Sequence, residues 1–216
     1  VMDWAFSKGY TVVASKSSVT GAVTSKGVDT TGTVAAPTLA NGSDGNGFST
    51  GAVITAGKNA VNITGTAKAD TIIGSPKDDV ISGGASYALD SIDAGAGNDV
   101  ITFVNAGSNA DLTGATIEGG DGVDKLILGT ASTGITDTGF AKISNIETLQ
   151  LANGANTITL GSNAASITKV ITGAPSSGVG ATTITTANNL TVDASNLGAY
   201  ILTLGGVGNV TVTGGS

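Results

Sequence analysis

Gly119-Gly120-Asp121-Gly122-Val123-Asp124-Lys125-Leu126-Ile127 is a complete copy of a nine-residue pattern, G-G-x-G-x-D-x-U-x, in which U is a large aliphatic residue. Upstream lies a second copy, Ala94-Gly95-Ala96-Gly97-Asn98-Asp99-Val100-Ile101-Thr102. Before it, Gly83-Gly84 opens a copy two residues too long that closes on Asp90-Ser91-Ile92-Asp93. Two further copies abut each other, from Gly65 through Asp70 and Ile72, and from Gly74 through Asp79 and Ile81. These first two lack the second and third glycines.

Glycine at positions 1, 2 and 4 lets the backbone take positive φ and turn tightly. Asp at position 6 closes the turn and leaves a carboxylate beside exposed carbonyls. The residues D-x-U-x then open a short strand whose aliphatic residue points inward, because strand side chains alternate faces. Ile72, Ile81, Ile92, Ile101 and Leu126 are expected to form one interior stack. Nine residues make half a coil, so successive turns fall on opposite edges. Carboxylates on the same edge then come from repeats two apart, such as Asp70 with Asp90 and Asp79 with Asp99. Stacked turns of this kind bring together carboxylates and carbonyls, an all-oxygen environment that suits Ca²⁺.

Over these residues, less than a third of the chain, the sequence resembles the haemolysin-type calcium-binding repeats of RTX proteins, which bacteria export by type I secretion. The resemblance implies a parallel β-roll in which position-6 aspartates and turn carbonyls bind several Ca²⁺ ions. Carried onto this chain, the ligands are Asp70, Asp79, Asp90, Asp99 and Asp124. Asp78 and Asp121, with Gly95, Gly97, Gly120 and Gly122, complete the expected set. Lys68 and Lys77 stand at position 4, where a cation is an odd neighbour for a metal.

Composition narrows the alternatives. The 34 glycines among 216 residues are about twice the usual usage of about 7% and follow no collagen period, so they signal many tight turns. Eight aromatic residues leave a thin, aliphatic interior. The chain has no Cys and no His, which removes disulfides, thiolate chemistry and the commonest catalytic base. Net charge is −7. Ten acidic residues and two Lys fall between Gly65 and Asp124, so the rest of the chain is close to neutral. All nine basic residues are Lys without clustering, which argues against nucleic-acid binding. No apolar run approaches the ~18 residues of a membrane span. No G-x-S-x-G elbow is present, and a serine triad would lack its His, so an enzyme is not expected.

Residues 1–50 read as an irregular N-terminal cap or the remnant of a preceding domain, with Trp4, Phe6 and Tyr10 as an apolar patch. Asp44 and Asn46 read as turn formers. Residues 51–128 are expected to form the calcium-binding β-roll, interrupted by a polar loop from Asn105 to Asp111. Residues 129–216 are expected to continue as a wider Thr/Asn/Gly-rich β-solenoid, with asparagines satisfying backbone groups from coil to coil. Here the composition resembles secreted bacterial surface-layer proteins, with Ile143-Ser-Asn-Ile146-Glu-Thr-Leu149 as a similar phrase. Thr157/Thr159 and Thr211/Thr213 begin a T-x-T ladder that the intervening residues are expected to break. The chain reads as a fragment of a longer protein, ending in mid-pattern.

The expectation for the whole is an all-β parallel β-roll and solenoid, secreted to the bacterial surface. It would serve as a structural component of a calcium-assembled surface layer, with copies of itself as partners. Cell-surface polysaccharide would be bound, if at all, outside this segment. The alternative is a calcium-stabilised segment of an RTX adhesin or large exoprotein.

Overall fold

The computed structural model describes residues 12–13, 24–25, 38–40, 53–65, 69–84, 90–104, 109–174, 181–198 and 201–214, the first three as backbone only. Within them the chain is a parallel β-solenoid with very little helix. One wall is a ten-stranded sheet. Its strands, in stacking order, are Val12–Val13, Thr38–Ala40, Asn62–Thr64, Val80–Ser82, Val100–Phe103, Lys125–Leu128, Thr148–Gln150, Lys169–Ile171, Leu190–Ala194 and Val210–Gly214. The facing wall begins as a six-stranded sheet of Thr24–Ser25, Val53–Thr55, Thr71–Ile73, Ser91–Asp93, Thr116–Glu118 and Ile143–Ser144. A four-stranded sheet follows, made of Thr133–Ile135, Asn156–Leu160, Thr182–Thr186 and Leu202–Gly206.

Consecutive nonapeptides alternate between the walls, so each strand pairs with the one two repeats away. The expected single aliphatic stack is therefore two stacks that face each other. In one wall Ile63, Ile81, Ile101, Leu126, Leu149, Val170 and Val192 lie in register. In the other, Ile54, Ile72, Ile92, Ile117 and Ile143 do. These side chains are buried. The flanking strand residues point outward, as the buried centres of Thr71–Ile73 and Ser91–Asp93 show. Leu126 is fully buried between two rungs. Leu126→Ala is expected to cost about 2–5 kcal/mol, since stacked neighbours on both sides prevent collapse into the void. Urea denaturation with and without Ca²⁺ measures this.

The described strands of the first fifty residues join the same stack in parallel: Thr24–Ser25 and Thr38–Ala40 pair with strands after Ala52, and Val12–Val13 pairs with Thr38–Ala40. The expectations at Trp4, Tyr10, Asp44, Asn46 and Lys68 lie outside the described residues, as does the Asn105–Ser108 part of the interruption. The rest of that interruption is not loop. Asn109–Gly114 is an α-helix, with Asp111 in its first turn and Leu112 buried. It replaces a turn and packs on the 3-10 helix Asp137–Phe140, which packs in turn on the 3-10 helix Ser162–Ala164. The interruption thus widens one edge and leaves the register intact: Ile117 still pairs with Ile92.

In the later coils Asn takes over at the turns. Ser132 N–H donates to Asn156 Oδ1 at 3.0 Å, and Asn188 Nδ2 donates to the Gly161 and Ala164 carbonyls. The T-x-T ladder is broken, as expected: among the described strands only Thr157/Thr159 and Thr183/Thr185 carry it side by side, with Ile135 on one flank and Gly205 on the other. Thr133, Thr157, Thr183 and Thr203 lie side by side across the four-stranded sheet, and Thr159 lies beside Thr185. Among the described residues no helix is long and apolar enough to cross a membrane.

Candidate metal centre

The turns that enter the ten-stranded wall place their position-6 carboxylates in one column. Val61 N–H donates to Asp79 Oδ1 at 2.7 Å, Asp79 N–H to Asp99 Oδ1 at 2.7 Å, and Asp99 N–H to Asp124 Oδ1 at 2.7 Å. On the opposite edge Asp70 N–H donates to Asp90 Oδ1 at 2.9 Å. All five aspartates are buried, at 0–2% exposure. The same-edge pairs expected from the period, Asp70 with Asp90 and Asp79 with Asp99, are brought together, and Asp124 joins the latter. The carboxylates of Asp79, Asp90, Asp99 and Asp124 each cap an N–H of the preceding coil, a bond that the strand ladder cannot supply at a corner.

The column continues one coil beyond the repeats. Asp124 N–H donates to Glu147 Oε2 at 2.8 Å. Glu147-Thr148-Leu149 keeps the D-x-U spacing with Glu for Asp, preceded by no turn glycines. That spacing is the signal from which Glu147 was legible, and the nonapeptide reading passed over it.

The turns 94–99 and 119–124 have the same backbone form. Gly95 and Gly97 have φ of 101° and 130°, and Gly120 and Gly122 have 102° and 137°. The turns stack through main-chain bonds: Asp121 N–H to the Gly95 carbonyl at 3.0 Å, and Gly97 N–H to the Asp121 carbonyl at 2.8 Å. A Cβ at Gly120 or Gly122 would overlap the carbonyl oxygen of Gly95 or Gly97. The side chains of Asp78 and Asp121 stand on the exposed rim. Asp78 Oδ1 accepts the Asn98 N–H at 2.7 Å, and Asn98 Oδ1 accepts the Val123 N–H at 3.0 Å. This outer line runs in the opposite direction to the buried column.

The turn 74–79 is closed differently, which accounts for its missing glycines. Ser75 N–H donates to Asp79 Oδ2 at 2.6 Å and Ser75 Oγ to Asp79 Oδ1 at 2.9 Å. Both oxygens of Asp79 are therefore engaged, and Lys77 lies exposed. Asp99 and Asp124 differ. Their Oδ2 atoms are buried without a hydrogen-bond partner.

Burial pushes the carboxyls of Asp79 and Asp124 above their ordinary range, and raises Asp90 to about 6 and Asp99 to about 7. Hydrogen bonds from the preceding coil act against this, and neighbouring carboxylates add to it. For Asp124 the foremost of these neighbours is Glu147.

Among the described residues no three Asp, Glu, His or Cys side chains gather into a metal-holding group. Any ion here would rest on one or two carboxylates and main-chain carbonyls. The donor set does fit a hard cation: two buried carboxylate oxygens lack donors, and the turns are lined by carbonyls with no competing thiol or imidazole. No protein-family model, curated protein or solved structure matches this chain.

Proposed function

We propose that this chain is a structural segment of a secreted, calcium-dependent bacterial surface layer, in which Ca²⁺ drives folding and assembly outside the cell. The supporting observation is the pair of buried, unpartnered Oδ2 atoms of Asp99 and Asp124 in successive stacked turns. Burying such oxygens without donors is costly, and a bound Ca²⁺ offsets that cost as a Lewis-acid partner. Asp99 and Asp124 would hold it with turn carbonyls. Asp70 and Asp90 take the same place in their own turns, whereas both oxygens of Asp79 are already engaged by Ser75.

Extracellular Ca²⁺ modules bind with Kd of roughly 10⁻⁴–10⁻³ M. At about 1 mM free Ca²⁺ each site then adds roughly 0.4–1.4 kcal/mol, and several sites together rival the stability of a domain. At sub-micromolar concentration the same contribution is negligible.

Titrating chelator-stripped protein with Ca²⁺, with far-UV circular dichroism and light scattering followed together, tests the reading. The expected result is a gain of β signal at sub-millimolar to millimolar Ca²⁺ and growth into large ordered particles. Folding without growth favours the calcium-stabilised adhesin or exoprotein segment. An unchanged signal in both channels means that the aspartates serve only as turn formers.

A further inference from the structure

The corner at which Asp124 meets the next coil joins a bare glycine to a carboxylate oxygen without a donor; at Gly65 the Asp70 Oδ2 and the Gly83 carbonyl stand in the same way, but Asp70 Oδ2 is not buried without a partner. Gly119, at position 1, lacks a side chain where a Cβ would overlap the Asn145 carbonyl oxygen and lie 2.6 Å from Asp124 Oδ2. The bare glycine thus leaves two oxygens from successive coils facing one spot, and one of them is buried without a donor. At Gly74 the same geometry brings Asp79 Oδ2 near the Ala94 carbonyl, but Ser75 N–H already occupies that carboxylate oxygen. At Asp99 the equivalent residue is Ala94, whose methyl fills the corner. At Gly83 a Cβ would meet Asp90 Oδ2 with no carbonyl beside it.

The Asn145 carbonyl is held in place. Asn145 has φ of 49°, the one positive value outside glycine among the described residues. Glu118 accepts from Asn145 Nδ2 and from Ser144 Oγ, fixing the turn in the left-handed form that tilts the carbonyl toward Gly119. Glu147, two residues on, adds a second carboxylate and already binds the Asp124 N–H.

We propose a Ca²⁺ site beyond the nonapeptide repeats, formed by Asp124 Oδ2, the Asn145 carbonyl and Glu147, that terminates the metal column. The inference rests on the calcium reading above and assigns an ion to a coil without turn glycines. Glu118 is a positioning residue here, because both its oxygens hold the Ser144–Asn145 turn.

The test is the number of Ca²⁺ equivalents bound by the chelator-stripped full chain, measured by equilibrium dialysis for wild type and Glu147→Gln. The amide retains an acceptor for the Asp124 N–H, so the turn is expected to survive. One equivalent fewer in the variant, with the rest unchanged, supports the site. Equal numbers in both overturn it and leave the general calcium reading standing. No binding by wild type overturns both. A measurement without a variant decides the case in which Glu147→Gln does not fold. Wild-type crystals grown with Tb³⁺ should show an anomalous peak bonded to Asp124 Oδ2 and the Asn145 carbonyl. Peaks confined to other turns overturn the site.

Discussion

Stripped of Ca²⁺, the protein is expected to lose stability on going from about pH 4.5 to pH 8, by about 3–5 kcal/mol. The direction follows from the buried carboxyls. Folding raises the pKa of Asp90 to about 6 and of Asp99 to about 7, and moves Asp79 and Asp124 the same way. The folded state therefore binds protons more tightly than the unfolded chain. The stability this contributes is fully present below the ordinary carboxylate range. It is lost as the pH rises through the folded-state values. Calcium opposes the trend, because it takes the deprotonated carboxylates, and its affinity grows as the protons leave. In millimolar Ca²⁺ the pH dependence should flatten or reverse. Urea midpoints at several pH values, in chelator and in Ca²⁺, measure both slopes. Asp99→Asn sharpens the comparison: it retains an acceptor for the Asp79 N–H, so it should stabilise the metal-free protein at pH 8 and weaken Ca²⁺ binding. A metal-free midpoint that does not change with pH would show that these carboxyls are not desolvated as described.

Gly122→Ala is expected to cost about 3–5 kcal/mol, whereas Gly134→Ala costs about 1–2 kcal/mol. Both glycines have positive φ, 137° and 95°, so both substitutions strain the backbone. They differ in what surrounds them. A methyl at Gly122 would overlap the Gly97 carbonyl oxygen, whereas nothing lies within 4 Å of one at Gly134. Backbone cannot yield as a flexible side chain does. The two turns must therefore separate, and the bond from Gly97 N–H to the Asp121 carbonyl is lost with them. The difference between the variants isolates the close stacking of turns from the cost of φ alone. Unfolding midpoints in chelator at about pH 4.5, where the buried carboxyls are protonated, provide the measurement, and equal losses would rule out the close approach. The same separation should lower Ca²⁺ affinity in Gly122→Ala and leave it unchanged in Gly134→Ala.

The repeat was legible because period alone fixes which residues meet. Nine residues per half coil put Asp79 beside Asp99, and strand alternation turned Ile72 and Ile101 inward. The same half-coil period puts these isoleucines on opposite walls, so the single stack expected of them is two facing stacks. Glu147 escaped because the turn before it reaches a left-handed conformation with Asn145 in place of glycine, so only the E-x-L spacing remained. The helix Asn109–Gly114 was hidden in a short polar stretch whose one strong apolar residue, Leu112, is too little to show a period. The break in the threonine ladder was legible as well: Thr185 lies beside Gly205, so only one pair of neighbouring strands carries both threonines. The contrast between Asp79 and Asp99 depends on a single Ser75 N–H and could be read only from coordinates.

The buried column also gives the stack a polarity. Each carboxylate belongs to one coil but satisfies an amide of the coil before it, from Val61 through Asp124. The outer line from Asp78 to Asn98 runs the other way, but it is exposed and water can stand in for it. A coil added ahead of an existing one finds acceptors already waiting for its corner amide. A coil added behind arrives with its own amide unmet and completes its predecessor instead. The solenoid is thus a one-way template, in which a formed coil prepares the place of the coil that precedes it in the sequence.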